Sequence, residues 1–167
     1  MAKFVLGVVI GVLLVPLFVY LYFSTGHVPT AVSAEPMPFE KKLARMGLQS
    51  ALDKQAPKSA PFQATEADYV AGVTLYKQNC AVCHGLPDKQ KTAIANGMYP
   101  KPPQLFVHGV TDDPPGETYW KVANGIRLTG MPGFKQGLSE QQLWQVSLML
   151  ANADKLPSSA QQGLSQP

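Results

Sequence analysis

The chain has 167 residues, a length that suits one domain with an appendage. Its 14 lysines and arginines against 11 aspartates and glutamates give a formal net charge of +3, and no long basic run is present. Nucleic acid is therefore excluded as an expected partner, since binding it needs a strongly basic surface. The hydrophobic fraction of 46% is ordinary, but much of it lies near the N-terminus.

The first element is an uncharged stretch from Phe4 to Phe23. About 20 apolar residues in a helix span a bilayer core, so residues 1–23 are predicted to be a transmembrane anchor. A cleaved signal is the alternative, because residues 32–34 resemble a cleavage site, but signal cores usually run about 7–15 residues. No Lys or Arg occurs between Lys3 and Lys41. The positive-inside rule then predicts a single-pass protein of a bacterial inner membrane, with the N-terminus cytoplasmic and the rest periplasmic.

Residues 24–64 are predicted to be a tether that contains one short helix. Its first part is rich in Pro, Ala, Ser and Thr, which favours extended backbone. From residue 39 to residue 55, apolar side chains recur at helical spacing, with basic residues elsewhere: Phe39, Leu43, Met46 and Leu52. We expect a marginal helix that packs on its own domain. A helix that docks on a partner subunit or lies at the membrane surface is the alternative.

Residues 65–155 are predicted to form a compact, all-helical domain. Thr65 and the acidic residues after it indicate the start of a helix that runs toward Cys80. Residues 85–118 are rich in loop formers, and a short helix is expected to end at residue 124. A capping-box pattern at Ser139 begins the last helix, which Pro157 ends. No sustained alternation indicates a sheet, and residues 156–167 are predicted to be a flexible tail.

The segment Cys80-Ala81-Val82-Cys83-His84 carries the chemistry, because it has the pattern of c-type haem attachment. Residues three and four apart on a helical turn face the same way, so both thiols and the imidazole converge on one flat group. The thiols would form thioethers with the haem vinyl groups, and His84 would be the proximal iron ligand. We therefore predict one covalent haem c per chain.

Two other uses of a cysteine pair fit the sequence less well. A thioredoxin-like redox dithiol would need a βαβ pattern, and a zinc site would need two more ligands at suitable spacing. The second axial ligand of the iron stays open from spacing alone, because Met131, Met98 and His108 are all within reach of the chain. Met131 lies in a turn-rich loop, Gly130-Met131-Pro132-Gly133. A thioether opposite histidine would favour reduced iron and raise the potential.

Residues 65–155 resemble the class I c-type cytochromes. The resemblance rests on the haem motif and on four further features: Gly72 and Tyr76, Met98 to Pro103, Asn124 to Phe134, and Leu138 to Trp144. It implies that Met131 is the distal ligand and that the carbonyl of Pro102 or Pro103 accepts a hydrogen bond from His84. It also implies that the first and last helices of the domain cross near Gly72. Residues 38–57 are similar to a segment that precedes the haem domain in some anchored relatives.

The predicted fold is all-α, a class I cytochrome c-like haem domain preceded by one transmembrane helix. The predicted function is electron transfer between respiratory or photosynthetic redox complexes, as a shuttle or as a subunit. The expected partners are the lipid bilayer and redox proteins, with no small-molecule substrate. The chain is not expected to be an enzyme, because a distal thioether closes the iron to substrates. A haem enzyme or gas sensor with an open distal position is the alternative.

Charged side chains near the motif are weaker candidates for function. Arg127 is a candidate for hydrogen bonding to a haem propionate, although a solvated surface position is an equal alternative. Lys77, Lys89, Lys91 and Lys101 surround the attachment motif in sequence. They predict a basic rim that steers acidic redox partners, with an ordinary charged surface as the alternative.

Overall fold

The structure, a computed structural model, describes residues 1–87, 91–107 and 109–166. These residues contain helices and no strand, which confirms the all-α prediction. The helices are α1 (Ala2–Ser24), α2 (Glu40–Gln55), α3 (Glu66–Asn79), α4 (Ala81–His84), α5 (Ala93–Asn96), α6 (Pro115–Asn124), α7 (Glu140–Ala151) and α8 (Ser158–Ser165). The chain divides into two compact units, Met1–Leu43 and Ala44–Pro167.

The first unit is dominated by α1, a helix of 23 residues. No α1 residue is buried, and side chains as large as Phe4 and Phe18 are 76% and 69% exposed. Among the described residues, α1 is the one helix long and apolar enough to cross a bilayer. At its end the Thr25 hydroxyl donates to the Leu21 carbonyl at 2.6 Å. A long apolar helix with no buried residue suits a single-pass anchor.

The core of the second unit is built where α3 crosses α7. A Cβ atom on Gly72 would lie 2.8 Å from the Cβ of Met149 and would also clash with the Gln145 carbonyl. Gly72 therefore permits a backbone approach that no other residue allows. Met149 is fully buried in this contact. The crossing near Gly72 that the resemblance implies is thus confirmed.

Capping boxes begin both crossing helices. The Thr65 hydroxyl accepts a hydrogen bond from the backbone of Asp68 at the start of α3. Ser139 and Gln142 form the equivalent pair at the start of α7. Each box pairs backbone N–H groups that the helix itself leaves without partners. Both predicted helix starts are confirmed.

The second half of α2 belongs to the compact unit rather than to a free tether. Leu52 is only 2% exposed, and the Trp120 indole donates to Oε1 of Gln55 at 3.3 Å. The Pro57 carbonyl lies so close to Gly116 that a Cβ there would clash with it. The segment predicted as a tether with a short helix, residues 24–64, therefore includes at its C-terminal end residues that pack on the compact unit. A helix packed on its own domain is the interpretation that fits this half of α2.

The C-terminal segment also differs from its prediction. Residues 156–167 are predicted to be a flexible tail, but α8 forms there and packs against α3. Ala160 and Leu164, four residues apart, are 1% and 5% exposed. The Lys77 ammonium donates to the carbonyls of Gly163 at 3.2 Å and Gln166 at 3.1 Å. A polar composition conceals the small apolar face that folds this segment.

Candidate haem site

The attachment motif lies where α3 passes into α4. The Cys80 N–H bonds to the Tyr76 carbonyl at 2.8 Å and so ends α3, while the His84 N–H bonds to the Cys80 carbonyl at 2.9 Å. The motif therefore stays on nearly continuous helical backbone. Cys80, Cys83 and His84 line one cavity, as residues three and four apart on a helix are expected to do.

Tyr76 fixes the turn that follows the motif. Its side chain is fully buried, and its hydroxyl donates to the Gly85 carbonyl at 2.7 Å. Its ring meets that of Phe106 edge to face, with centroids 5.2 Å apart. Burial, with a smaller contribution from Cys80, raises the pKa of the Tyr76 phenol, so it remains a donor at neutral pH. Gly85 has a φ of +75°, which glycine adopts without strain.

The His84 ring is oriented by a backbone carbonyl. Its Nδ1 lies 2.9 Å from the carbonyl oxygen of Pro103. Nδ1 must donate this bond, so the lone pair of the neutral ring lies on Nε2, which is the arrangement an iron ligand needs. Burial lowers the pKa of His84, against a smaller opposite contribution from the Pro103 bond. Pro102 is buried and Pro103 is exposed at the cavity edge, and both line it.

Met131 reaches the same cavity from the loop between α6 and α7. The Ile126 N–H bonds to the Met131 carbonyl at 3.2 Å, and the Met131 N–H donates to Oγ1 of Thr129 at 3.1 Å. The Phe134 N–H then returns the chain to the Val122 carbonyl of α6 at 3.0 Å. The loop is therefore closed on itself with Met131 inside it. Thr129 escaped the sequence reasoning, although a hydroxyl two residues before a ligand candidate was a usable signal.

The structure places the other candidate haem-binding residues differently. Met98 lines the same cavity as Met131, and its terminal methyl group lies against Gly130. His108 lies outside the described residues. Arg127 is exposed and is absent from the cavity lining, so the described residues give it no contact with the site.

The cavity suits a flat, largely apolar group anchored by thiols. Its lining residues are mostly apolar and come from both sides of the site: Asn79, Cys80, Cys83, His84, Met98, Pro100, Lys101, Pro102, Pro103, Leu105, Val122, Ile126, Thr129, Gly130, Met131, Pro132, Phe134 and Leu150. Two thiols and an imidazole on one wall and a thioether from the distal loop are the donor set of haem c, so the residues present fit the group.

The other uses of the cysteines find less support here. Burial, with a contribution from Cys83, raises the pKa of the Cys80 thiol to about 12, whereas reactive dithiols have lowered pKa values. No disulfide joins Cys80 to Cys83. Within the described residues no three His, Cys, Asp or Glu side chains gather as a metal site. These features disfavour a redox dithiol and a zinc site.

The four lysines of the predicted basic rim are not equivalent. The Lys77 ammonium is engaged with carbonyls of α8. Lys89 lies outside the described residues. Lys101 is exposed and lines the cavity, and Lys91 is exposed just before α5. The described part of the rim therefore reduces to Lys91 and Lys101.

Comparisons with known proteins address the family. Residues 67–148 match the family described as cytochrome c oxidase, cbb3-type, subunit III. A solved chain of the reducing HAO-like protein complex of Kuenenia stuttgartiensis is 22% identical over 62% of this chain, with a TM-score of 0.46. The match covers 53% of that chain, about half its length. No curated protein matches the chain. Residues 67–148 therefore belong to the class I c-type cytochromes, the family of electron-transfer domains to which the attachment motif pointed.

Proposed function

We propose that the chain is a membrane-anchored electron carrier that holds one haem c. In this proposal Cys80 and Cys83 attach the haem, while His84 and Met131 are its axial ligands. The observation that carries it is the single cavity that these four side chains share. Bound haem c would supply a one-electron Fe(II)/Fe(III) change, with no substrate at the metal.

The residues of the chain divide the work of holding the group. Thioether links from Cys80 and Cys83 would keep the haem from dissociating. The Pro103 carbonyl, 2.9 Å from Nδ1 of His84, fixes the imidazole and increases its basicity at the other nitrogen. The mostly apolar lining would keep water from a bound haem, which would favour the less charged, reduced state and raise the potential. We propose Arg127 as a propionate partner only in a loop arrangement that brings its guanidinium inward, since its side chain is exposed.

The proposed carrier is not an enzyme, because a bound Met131 thioether leaves no position for oxygen or peroxide. The loop that holds Met131 is closed by hydrogen bonds at both ends, from Ile126 to Met131 and from Phe134 to Val122. A closed loop limits the loss of a ligand that is itself a weak donor. An open distal position, with enzyme or sensor chemistry, is the outcome that would replace this proposal.

The proposed location follows from α1. Its uninterrupted apolar surface supports a single-pass anchor, and Lys3 before it favours a cytoplasmic N-terminus. The haem domain would then be periplasmic, on a bacterial inner membrane. Its partners would be redox proteins or membrane complexes of a respiratory or photosynthetic chain, reached as a shuttle or as a fixed subunit.

The test compares Met131→Ala with Met98→Ala in the full-length holoprotein. The oxidised wild type should have the weak near-infrared absorption of iron–thioether charge transfer. Met131→Ala should lose this band, lower the potential and bind carbon monoxide in the reduced form. The band should survive in Met98→Ala. If the band survives in Met131→Ala and is lost in Met98→Ala, Met98 rather than Met131 is the ligand. A wild type that lacks the band and binds carbon monoxide readily would favour an enzyme or sensor.

A further inference from the structure

Met98 and Met131 are neighbours in the cavity although they are far apart in sequence. The terminal methyl group of Met98 lies against the α-carbon of Gly130, so closely that a Cβ atom on Gly130 would clash with it. The Met98 sulfur would be 3.6 Å from that Cβ atom. Gly130 immediately precedes Met131. The contact therefore falls on the backbone that carries the proposed distal ligand.

Met98 is itself held from the proximal side of the site. Thr92 caps α5 by accepting the Ala95 N–H at 3.1 Å, and its hydroxyl donates to the Val82 carbonyl inside the attachment motif at 2.6 Å. Ala95 is 1% exposed, and the Met98 N–H bonds to its carbonyl at 3.4 Å. The segment from Thr92 to Met98 is thus fastened to the helix that carries Cys80, Cys83 and His84.

The loop around Met131 is tied to α6 at its far end, where the Phe134 N–H bonds to the Val122 carbonyl. Around Met131 itself the hydrogen bonds join residues close in sequence, Met131 to Thr129 and Ile126 to Met131. Gly130 is exposed and has no side chain to pack. The Met98 methyl group supplies the packing that a side chain at residue 130 would otherwise provide. A side chain there and a thioether at residue 98 compete for the same space.

We infer that Met98 is a positioning residue, which packs under Gly130 and so holds Met131 in place as a ligand. The inference rests on the proposed function, because it takes Met131 as the ligand. A methionine suits the task, since its unbranched and flexible chain fills irregular gaps. Leucine is close to it in volume, whereas alanine leaves a void over which the loop can move.

The first experiment measures how fast carbon monoxide displaces Met131 from the reduced holoprotein. Met98→Ala should keep the near-infrared band, because Met131 remains the ligand, but should bind carbon monoxide about tenfold faster than wild type. Met98→Leu should stay within about twofold of wild type. Met46→Ala is the matched control, because Met46 is 59% exposed on α2, and it should leave the rate unchanged.

The second experiment tests the contact itself. Gly130→Ala should also speed carbon monoxide binding, because its Cβ collides with Met98. The double variant Met98→Ala/Gly130→Ala should bind carbon monoxide at a rate much closer to wild type, since the added methyl group fills the space that Met98 leaves. If the two sites were independent, their effects on the rate would multiply. A double variant whose rate shows the product of the two single effects therefore contradicts the inference.

The possible failures are distinguishable. If Met98→Ala matches wild type in its band and its rate while Met131→Ala opens the iron, the inference fails and the proposed function stands. If Met98→Ala loses the band and Met131→Ala keeps it, Met98 is the ligand and the proposed ligand assignment fails. If Met98→Ala does not retain haem, the inference is tested with Gly130→Ala and Met98→Leu. A Gly130→Ala protein that binds carbon monoxide at the wild-type rate then contradicts the inference.

Discussion

The proximal and distal walls of the haem cavity are built in different ways. On the proximal wall, Cys80, Cys83 and His84 lie within five consecutive residues, and α3 and α4 fix their backbone by hydrogen bonds along the helix. Tyr76 and the Pro103 carbonyl then lock the turn and the imidazole. On the distal wall, Met131 lies in a loop that is closed by single hydrogen bonds, from Met131 to Thr129 and from Phe134 to Val122, and Met98 contacts that loop at Gly130.

This difference separates the residues that attach the haem from those that set the strength of the distal ligand. A proximal wall made of regular helix keeps its geometry under small sequence changes, because many backbone hydrogen bonds hold it in place. A distal loop responds to single contacts, so small substitutions there should alter ligand strength without loss of the haem. Changes to the proximal wall should thus have the largest effects.

The largest effect is expected from removal of an attachment thiol. Either Cys80→Ala or Cys83→Ala should sharply reduce the amount of protein that retains haem under denaturing conditions, because one thioether is lost. Haem staining after denaturing electrophoresis measures this. Val82→Ala, at a 47% exposed position between the two cysteines, is the control and should stain as wild type. Wild-type haem that extracts into acidified organic solvent would contradict covalent attachment.

The next effect concerns the support of α3 by α8. A chain that ends after Pro157 loses the burial of Ala160 and Leu164, together with the hydrogen bonds that Lys77 makes to α8. Stability should fall by about 2–4 kcal/mol, the cost of returning such side chains to water. Thermal unfolding followed by circular dichroism measures it. Leu164→Ala should reproduce part of the loss, and Gln162→Ala, an exposed position on α8, should not. Equal melting temperatures for the shortened and full chains would leave α8 without a structural role.

A smaller effect on the distal wall should follow from Thr129→Ala. The hydroxyl accepts from the Met131 N–H and donates to the Ile126 carbonyl at 2.7 Å. Loss of about 1 kcal/mol of support should speed carbon monoxide binding several-fold and leave haem attachment intact. Thr74→Ala is the control, because the Thr74 hydroxyl bonds to a carbonyl on the exposed face of α3. A Thr129 variant that loses haem but not ligand strength would reverse the comparison between the walls.

The smallest effect is a pH dependence at the start of α3. Hydrogen bonds from Gln145 and then Thr65 lower the pKa of Asp68 below its ordinary value of 3.8. A lowered folded-state pKa gives stability that is fully present above the unfolded pKa and is lost as pH falls through the folded pKa. Asp68→Asn should therefore lower stability slightly at neutral pH and flatten its fall below about pH 4. Because Asp68 is close to solvent, the effect should be small.

Urea unfolding at pH 7 and at pH 3 measures this dependence. The control is Asp154→Asn, at an exposed turn after α7. An Asp68 variant that keeps the full acid dependence of wild type would assign that dependence to other carboxylates.

The sequence predicts the proximal wall well because its information is local. The spacing of Cys80, Cys83 and His84 requires only one helical turn, and the capping boxes at Thr65 and Ser139 rely on residues three apart. The regular backbone then positions these groups without help from distant contacts. The same reasoning correctly expects α1, whose apolar character is visible residue by residue.

The features that the sequence does not predict depend on contacts between distant segments. Met98 reaches the cavity because Thr92 ties α5 to α4, and no spacing rule encodes that bond. The sequence predicts Lys77 to be a surface charge, yet its ammonium donates hydrogen bonds to carbonyls more than 80 residues later in the chain. Arg127 remains a prediction without a described contact, because the orientation of an exposed side chain follows from packing rather than from pattern.

The packing of α2 and α8 on the haem domain determines where the chain can be cut for expression. A fragment restricted to residues 67–148 would expose the surfaces that Leu52 and Leu164 cover, each at most 5% exposed in the whole protein. Freshly exposed apolar surface promotes self-association and precipitation. A water-soluble fragment should therefore begin at Glu40 and keep α8, so that the anchor is removed and both covers of the domain remain.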